Sequence, residues 1–234
     1  MNRSTVLTDD EIRPVVAALQ TQVHRDWAPA WGTDADLTFV PTAGQPEPGA
    51  WQLILLDDSD QASALGYHDL SSEGLPLGKI FARTDHAAGL QWSVTASHEM
   101  VEMLADPDIN LTAFVQSSAT KGTLYAYESA DACEADQYGY AIDGVQVSDF
   151  VFPAWFESFR KSGSTQFDFG RHITAPFQLL PGGYISVYDI RSGSGWHQLT
   201  AASAPLQYAA RPRVGSRRER RRVPRDQWLL STAS

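Results

Sequence analysis

Cysteine is nearly absent from this chain: Cys133 is the only one in 234 residues. A single thiol forms no intrachain disulfide and excludes a cysteine-rich zinc finger. No uninterrupted apolar run approaches the ~20 residues needed to span a bilayer, so a membrane role is not expected. The first residues, Met1 to Asp10, lack the apolar stretch that a secretory leader requires. The cytoplasm is therefore the expected location, with export by another route left open. Internal repeats and low-complexity tracts are also missing ahead of residue 211.

Charge is present but unevenly placed. The net value is −10. The stretch from Arg211 to Asp226 holds eight arginines against Glu219 and Asp226, a net +6, which leaves −16 on the rest of the chain. An acidic body with a basic end suggests either a docking surface for an acidic partner or a strap onto the protein's own body. Self-docking is the favoured reading, with Trp228-Leu229-Leu230 as an apolar anchor behind the arginines. Nucleic acid is not an expected partner, because the acidic body would repel it.

Hydrophobic content of 43% and charged content of 20% are those of a folded globular protein. The length allows one sizeable core with an appendage. We expect a domain over residues 1–210 and an Arg-rich segment over 211–234. Thr8-Asp9-Asp10-Glu11 has the form of a helix capping box. Behind it Ile12, Val15, Val16, Leu19, Val23 and Trp27 recur at helical spacing. Pro14 suggests that the regular part begins near it, and Pro29 that the segment ends there. Strands are expected at Leu37 to Val40, Trp51 to Leu56 and Ile185 to Ile190, with extended chain at Ala64 to His68 and at Gly78 to Ala82. Trp92 to Ala105 reads as a helix burying Val94, Val101 and Leu104 and stopped by Asp106-Pro107. Tyr125 to Tyr140 reads as a carboxylate-rich loop, and Tyr140 to Val147 as a hairpin turning at Asp143-Gly144. The mixture points to an α+β fold.

The chemistry is concentrated in His98-Glu99-Met100-Val101-Glu102. On a helix His98 and Glu102 project from one face, one turn apart. Imidazole nitrogen and carboxylate oxygen are both good zinc ligands. Glu99 stands where His-Glu-x-x-His metalloproteases carry their general base. Further ligands are sought at Asp106 and Asp108 just past the helix, and at Glu128, Asp131 and Glu134 in the loop. The competing reading of the pentad alone is a solvated helix face with an incidental histidine. Tyr127, Tyr138 and Tyr140 flank the loop carboxylates and are candidates to polarise a carbonyl oxygen. His68 lies on an extended stretch that could border a cleft, and as a histidine it reads more simply as solvated. Cys133 reads as a small buried hydrophobe rather than a ligand. The aromatic group around Trp155 reads as core.

Ser97-His98-Glu99-Met100-Val101-Glu102-Met103-Leu104-Ala105-Asp106-Pro107, followed by Glu128-Ser129-Ala130-Asp131-Ala132-Cys133-Glu134, resembles two groups of proteins. One is the plant phosphate-induced (exordium-like) proteins, over about a tenth of the chain. The other is a bacterial family of unassigned function, similar over most of its length. The wider resemblance is to zincin metallopeptidases. It rests on the His-Glu pair and the preceding strands, and it departs where Glu102 replaces the usual second histidine. The resemblance favours Asp106 and the Glu128/Asp131 pair as further ligands.

Together these readings give an expectation of a zincin-like α+β domain, with a mixed sheet and a metal-binding helix. Zinc (Zn²⁺) is the expected cofactor, with Ca²⁺ or Mn²⁺ as alternatives suited to an oxygen-rich site. The ligand candidates are His98, Glu102, Asp106, Glu128 and Asp131, with Glu99 as catalytic base and Tyr127 as catalytic auxiliary. The expected reaction is hydrolysis of an amide bond in a peptide or protein substrate. The alternatives are a catalytically silent, metal-stabilised binding module and a scaffold acting through the arginines.

Overall fold

The computed structural model describes residues 1–61, 64–191, 195–201, 208–210 and 229–231. The expected α+β class holds: helices and several separate sheets share the chain. The Arg-rich run and its expected docking onto the body lie outside the described residues.

The first helix, α1 (Asp9–Thr21), is opened by the capping box. The Glu11 amide donates to Thr8 Oγ1 at 3.3 Å, and the Thr8 amide donates to Glu11 Oε2 at 2.8 Å. With its first turn held this way the helix runs through Pro14 instead of beginning there. A π-helical turn, Gln22–Trp27, leads into α2 (Ala28–Trp31). Pro29 does not end the segment. It sits in the first turn of α2, and the stop comes at Gly32, whose φ of +74° suits glycine.

Three strands form the sheet nearest the helices: β1 (Gln52–Leu56), β2 (Gly66–Leu70) and β3 (Pro76–Phe81). Their order is β1-β3-β2, with β1 parallel and β2 antiparallel to the central β3. The sheet is mixed, and β2 is an edge. Leu37 to Val40 is not a strand. The N-terminal residues take the place beside β1 instead: the Arg3 amide donates to the Leu55 carbonyl and the Asn2 amide to the Val40 carbonyl, both at 2.9 Å. After the short α3 (Ala82–Ala88) comes α4 (Trp92–Ala105), with the expected bounds.

A second sheet, wholly antiparallel, takes β4 (Thr112–Ser118), β5 (Lys121–Ala126), β8 (Tyr184–Asp189) and β9 (Trp196–Thr200) in that order. Between β5 and β8 lies the hairpin β6 (Tyr140–Ile142) and β7 (Val145–Val147). It turns at Asp143 and Gly144, both at positive φ, as the Asp-Gly pair requires. Two further short strands, β10 (Tyr208–Ala210) and β11 (Leu229–Ser231), pair antiparallel.

Two apolar clusters result. One joins α1, α4 and the first sheet around Trp27, Ile80, Val101 and Phe150. The other fills the space between the second sheet and the aromatic segment, around Trp155, Phe167, Ile185 and Val187. The turn after β5 belongs to both, because Ala130 packs in the first and Ala132 and Cys133 in the second. No helix among the described residues is long and apolar enough to cross a membrane.

Candidate metal centre

Almost all of α4 is buried, and it carries its ionisable residues inward. His98, Glu99 and Glu102 are 7%, 5% and 3% exposed, so the solvated-face reading of the pentad does not hold. Burying such groups is expensive unless they meet partners. Ser97 fixes the helix rotation from the opposite side. Its hydroxyl donates to Gln22 Oε1 at 2.7 Å and accepts the Ser148 amide at 2.9 Å, which leaves His98 and Glu102 turned toward the second sheet.

Two glycines let α4 lie close on the first sheet. A Cβ on Gly66 would stand 2.7 Å from Thr95 Cγ2 and 2.9 Å from Glu99 Oε1, and one on Gly78 would meet Met103 Sδ at 2.9 Å. Gly78 pairs directly with His68, and Gly66 lies two residues from His68 on the same sheet face. His68 therefore points under the helix. It is 1% exposed, which corrects its reading as a solvated strand residue.

Glu128 and Asp131 come from the loop beyond β5, and Asp131 opens a 3-10 turn, Asp131–Cys133. This loop is drawn onto α4 by the Ala130 amide, which donates to Glu102 Oε1 at 3.2 Å. From the other side it is backed by Gly183. A Cβ there would lie 2.3 Å from the Ala132 carbonyl oxygen, so only glycine lets the start of β8 come this close. The next residue, Tyr184, reaches Asp131 with its hydroxyl.

The polar atoms converge with regular spacing. His98 Nε2 is 3.4 Å from both Glu102 Oε2 and Asp131 Oδ1. His68 Nδ1 lies 3.3 Å from Glu99 Oε2 and 3.5 Å from Glu102 Oε2, and its Nε2 lies 3.6 Å from Glu128 Oε2. Two potential metal-holding sets follow, His98/Glu102/Asp131 and His68/Glu102/Glu128, each with its donor atoms within 4.8 Å of one another. Ligands at the 2.0–2.1 Å typical of zinc in a tetrahedral shell are about 3.3–3.4 Å apart. The His98 contacts match that separation, which is long for a direct hydrogen bond.

The electrostatics favour positive charge at this point. Burial works against a charged His98, yet Glu102 and Asp131 outweigh it and hold its pKa well above the ordinary histidine value. Burial would likewise raise Glu102, but His98 and His68 overcome it and hold the carboxyl down at about 2. Asp131 is pushed up to about 6 by burial and the neighbouring Glu102. Burial raises Glu134 to about 7, against the pull of His98. Carboxylates this crowded are stabilised by a cation among them, whether a proton on His98 or a metal ion.

The cluster opens on a cleft of about 400 Å³. Glu99, Glu102, Glu128, Asp131, Glu134 and Asp136 line it, with His98, Tyr184 and the residues leading into edge strand β2, and no Lys or Arg is among the described residues around it. Of the expected site residues, the structure gathers His98, Glu99, Glu102, Glu128 and Asp131 here. Asp106 is elsewhere: its carboxylate accepts the Asn110 and Leu111 amides, each at 3.0 Å, and shapes the loop after α4. Asp108 is exposed. Tyr127 does not reach the cluster either. Its ring packs 4.1 Å from that of Phe156 and edge-on to Trp31, because adjacent residues of an extended chain face opposite ways and Glu128 faces the cleft. Tyr184 supplies the site's phenol instead. No family model, curated protein or solved structure matches the chain.

Proposed function

We propose that the protein is a zincin-like, metal-dependent hydrolase of amide bonds. His98, Glu102 and Asp131 would hold a divalent ion, zinc by preference, since both carboxylates stand 3.4 Å from the His98 nitrogen, the separation of neighbouring zinc ligands. The observation that carries this reading is the convergence of those three buried side chains beside an open cleft, with Glu99 on its wall. A mixed sheet whose antiparallel edge strand borders the cleft, with the helix behind, supports the zincin likeness.

Bound there, the metal would supply Lewis acidity, lowering the pKa of water and polarising a carbonyl. The remaining roles fall to the chain. Glu99 takes a proton from the attacking water as oxygen bonds to the carbonyl carbon, and returns it to the leaving nitrogen as the C–N bond breaks. Tyr184 is placed to hold Asp131 and to offer its hydroxyl to the cleft. The outer edge of β2, unpaired among the described strands, suits an extended peptide added as a further strand.

A second reading has its own observation. Glu99 Oε2 lies 3.3 Å from His68 Nδ1, so Glu99 also serves to hold a buried histidine. On that reading the protein is a catalytically silent module in which metal ties the loop of Glu128 and Asp131 to α4. Metal analysis combined with a peptide-library cleavage assay on wild type and Glu99→Gln separates the two. Cleavage lost in the variant while metal is retained supports the hydrolase. A metal-loaded wild type that cleaves nothing supports the silent module, and a protein that takes up no metal removes both.

A further inference from the structure

The donor set is larger than one ion needs. The ligands assigned above use one histidine and two carboxylates, and beside them stands a second set sharing only Glu102: His68, Glu102 and Glu128. All three are buried, at 1%, 3% and 3% exposure. They come from separate parts of the chain, an edge strand, a helix and a loop. We propose that His68, Glu102 and Glu128 hold a second divalent cation, and that the Glu102 carboxylate joins two ions in a dinuclear centre. This rests on the hydrolase reading for its first ion and extends it.

Three observations carry the step. First, Glu102 lies between the two histidines: its Oε2 is 3.4 Å from His98 Nε2 and 3.5 Å from His68 Nδ1. A carboxylate placed between two imidazoles is where a bridging ligand belongs. Second, His68 is equipped on both sides of its ring. Glu99 and Glu102 face Nδ1, and Glu128 faces Nε2. Carboxylates at both nitrogens fix the orientation of the ring within the set. Third, the charge does not balance with one ion. Glu99, Glu102, Glu128 and Asp131 bring four carboxylates to the two histidines, and Glu134 and Asp136 extend the acidic lining outward. One divalent ion offsets two of these charges, and a second offsets the other two in the inner group.

Paired ions about 3.5–4 Å apart can clamp both the attacking and the departing atoms of a hydrolysis. In such a centre His68, Glu102 and Glu128 would be binding residues, and Glu99 would keep its place beside both.

The test is a count. Chelator-stripped wild-type protein is titrated with zinc chloride by calorimetry, and bound metal is measured by mass spectrometry after gel filtration. Cobalt chloride is used in parallel, because two cobalt ions sharing a bridging carboxylate couple magnetically and alter the electron paramagnetic resonance signal of the first. The expected result is two equivalents in wild type, with the signal of the first cobalt changed by the second. His68→Asn and His98→Asn should each retain one equivalent. One equivalent in wild type, lost in His98→Asn but kept in His68→Asn, overturns the second ion and leaves the hydrolase reading standing. Two equivalents that bind without magnetic coupling also overturn the shared centre. No uptake at all overturns both. The wild-type count and coupling decide the matter even if a histidine variant fails to fold.

Discussion

Two groups of buried carboxylates lie on either side of the turn at Ala130 to Cys133, and they are handled in opposite ways. At Asp149 and Asp168 the acids are met by backbone amides. Asp149 Oδ1 accepts the Phe150 and Gly170 amides, and Asp168 accepts those of His172 and Ile173. Burial and the neighbouring Asp168, which shares a hydrogen bond with it, push Asp149 up to about 8. That shift favours a proton on Asp149 as its counter-charge, and this pair does not line the cleft. Around Glu102 the acids instead meet two histidines at metal-ligand spacing and face a cleft. Backbone amides make a fastening, whereas imidazoles and an opening make a site.

That contrast is best attacked at its shared ligand. Glu102→Ala should abolish stoichiometric zinc binding, and the stabilisation that zinc gives should vanish with it. At a thousandfold excess over Kd that stabilisation is about 4 kcal/mol, which thermal melts with and without zinc will reveal. Asp149→Asn should leave the zinc-induced shift in Tm intact. If Asp149→Asn removed it, the two groups would not be independent.

The next effect in size is on turnover. Glu99→Gln should lower kcat by about 10²- to 10⁴-fold with metal content unchanged, the range for loss of a general base. A smaller loss, of roughly tenfold, is expected for Tyr184→Phe, which keeps the ring and removes the hydroxyl that partners Asp131. Measured beside it, Tyr127→Phe should leave kcat unaltered, since that phenol is packed away from the cleft.

The smallest effect sharpens the other side of the comparison. The folded-state pKa of Asp149 is raised, so between about 4 and 8 the folded chain holds a proton that the unfolded chain has released. Stability from this group is fully present below that window and is lost as pH rises through it. Asp149→Asn keeps an acceptor for the two amides and removes the ionisation. It should therefore raise Tm at pH 8 and raise it much less at pH 5. An equal shift at both pH values would mean that Asp149 is not holding a proton.

Much of this was legible in the sequence, and what was hidden has a common cause. Helix periodicity and the Asp106-Pro107 stop gave α4 with its bounds, and Asp143-Gly144 gave the hairpin, because those signals are local. The spacing of His98 and Glu102 implied one helix face, and the acidic loop implied partners for it. His68 was hidden because its burial depends on α4 lying against β2, a contact across thirty residues made possible by Gly66 and Gly78. Glycines in strand patterns at that point were the available signal. Tyr184 was hidden similarly, behind the close approach at Gly183. Strands β4, β5 and β9 were not anticipated, since sequences such as Thr112-Ala113-Phe114-Val115-Gln116-Ser117-Ser118 lie half exposed at the sheet and show little apolar alternation. Asp106 was assigned to the site by the family resemblance and its place just past the helix, and Tyr127 by neighbourhood in sequence, whereas local backbone amides and the alternation of extended chain turned them elsewhere.

The turn holding Ala130, Ala132 and Cys133 belongs to both apolar clusters, and this has a consequence for how the molecule opens. An ion gripped by α4 on one side and by Asp131 on the other would act as a rivet between two cooperative units. Chelation should then do more than lower the melting temperature. It should let the second sheet exchange its amide hydrogens on a faster schedule than α1 and α4, so that one exchange profile divides into two.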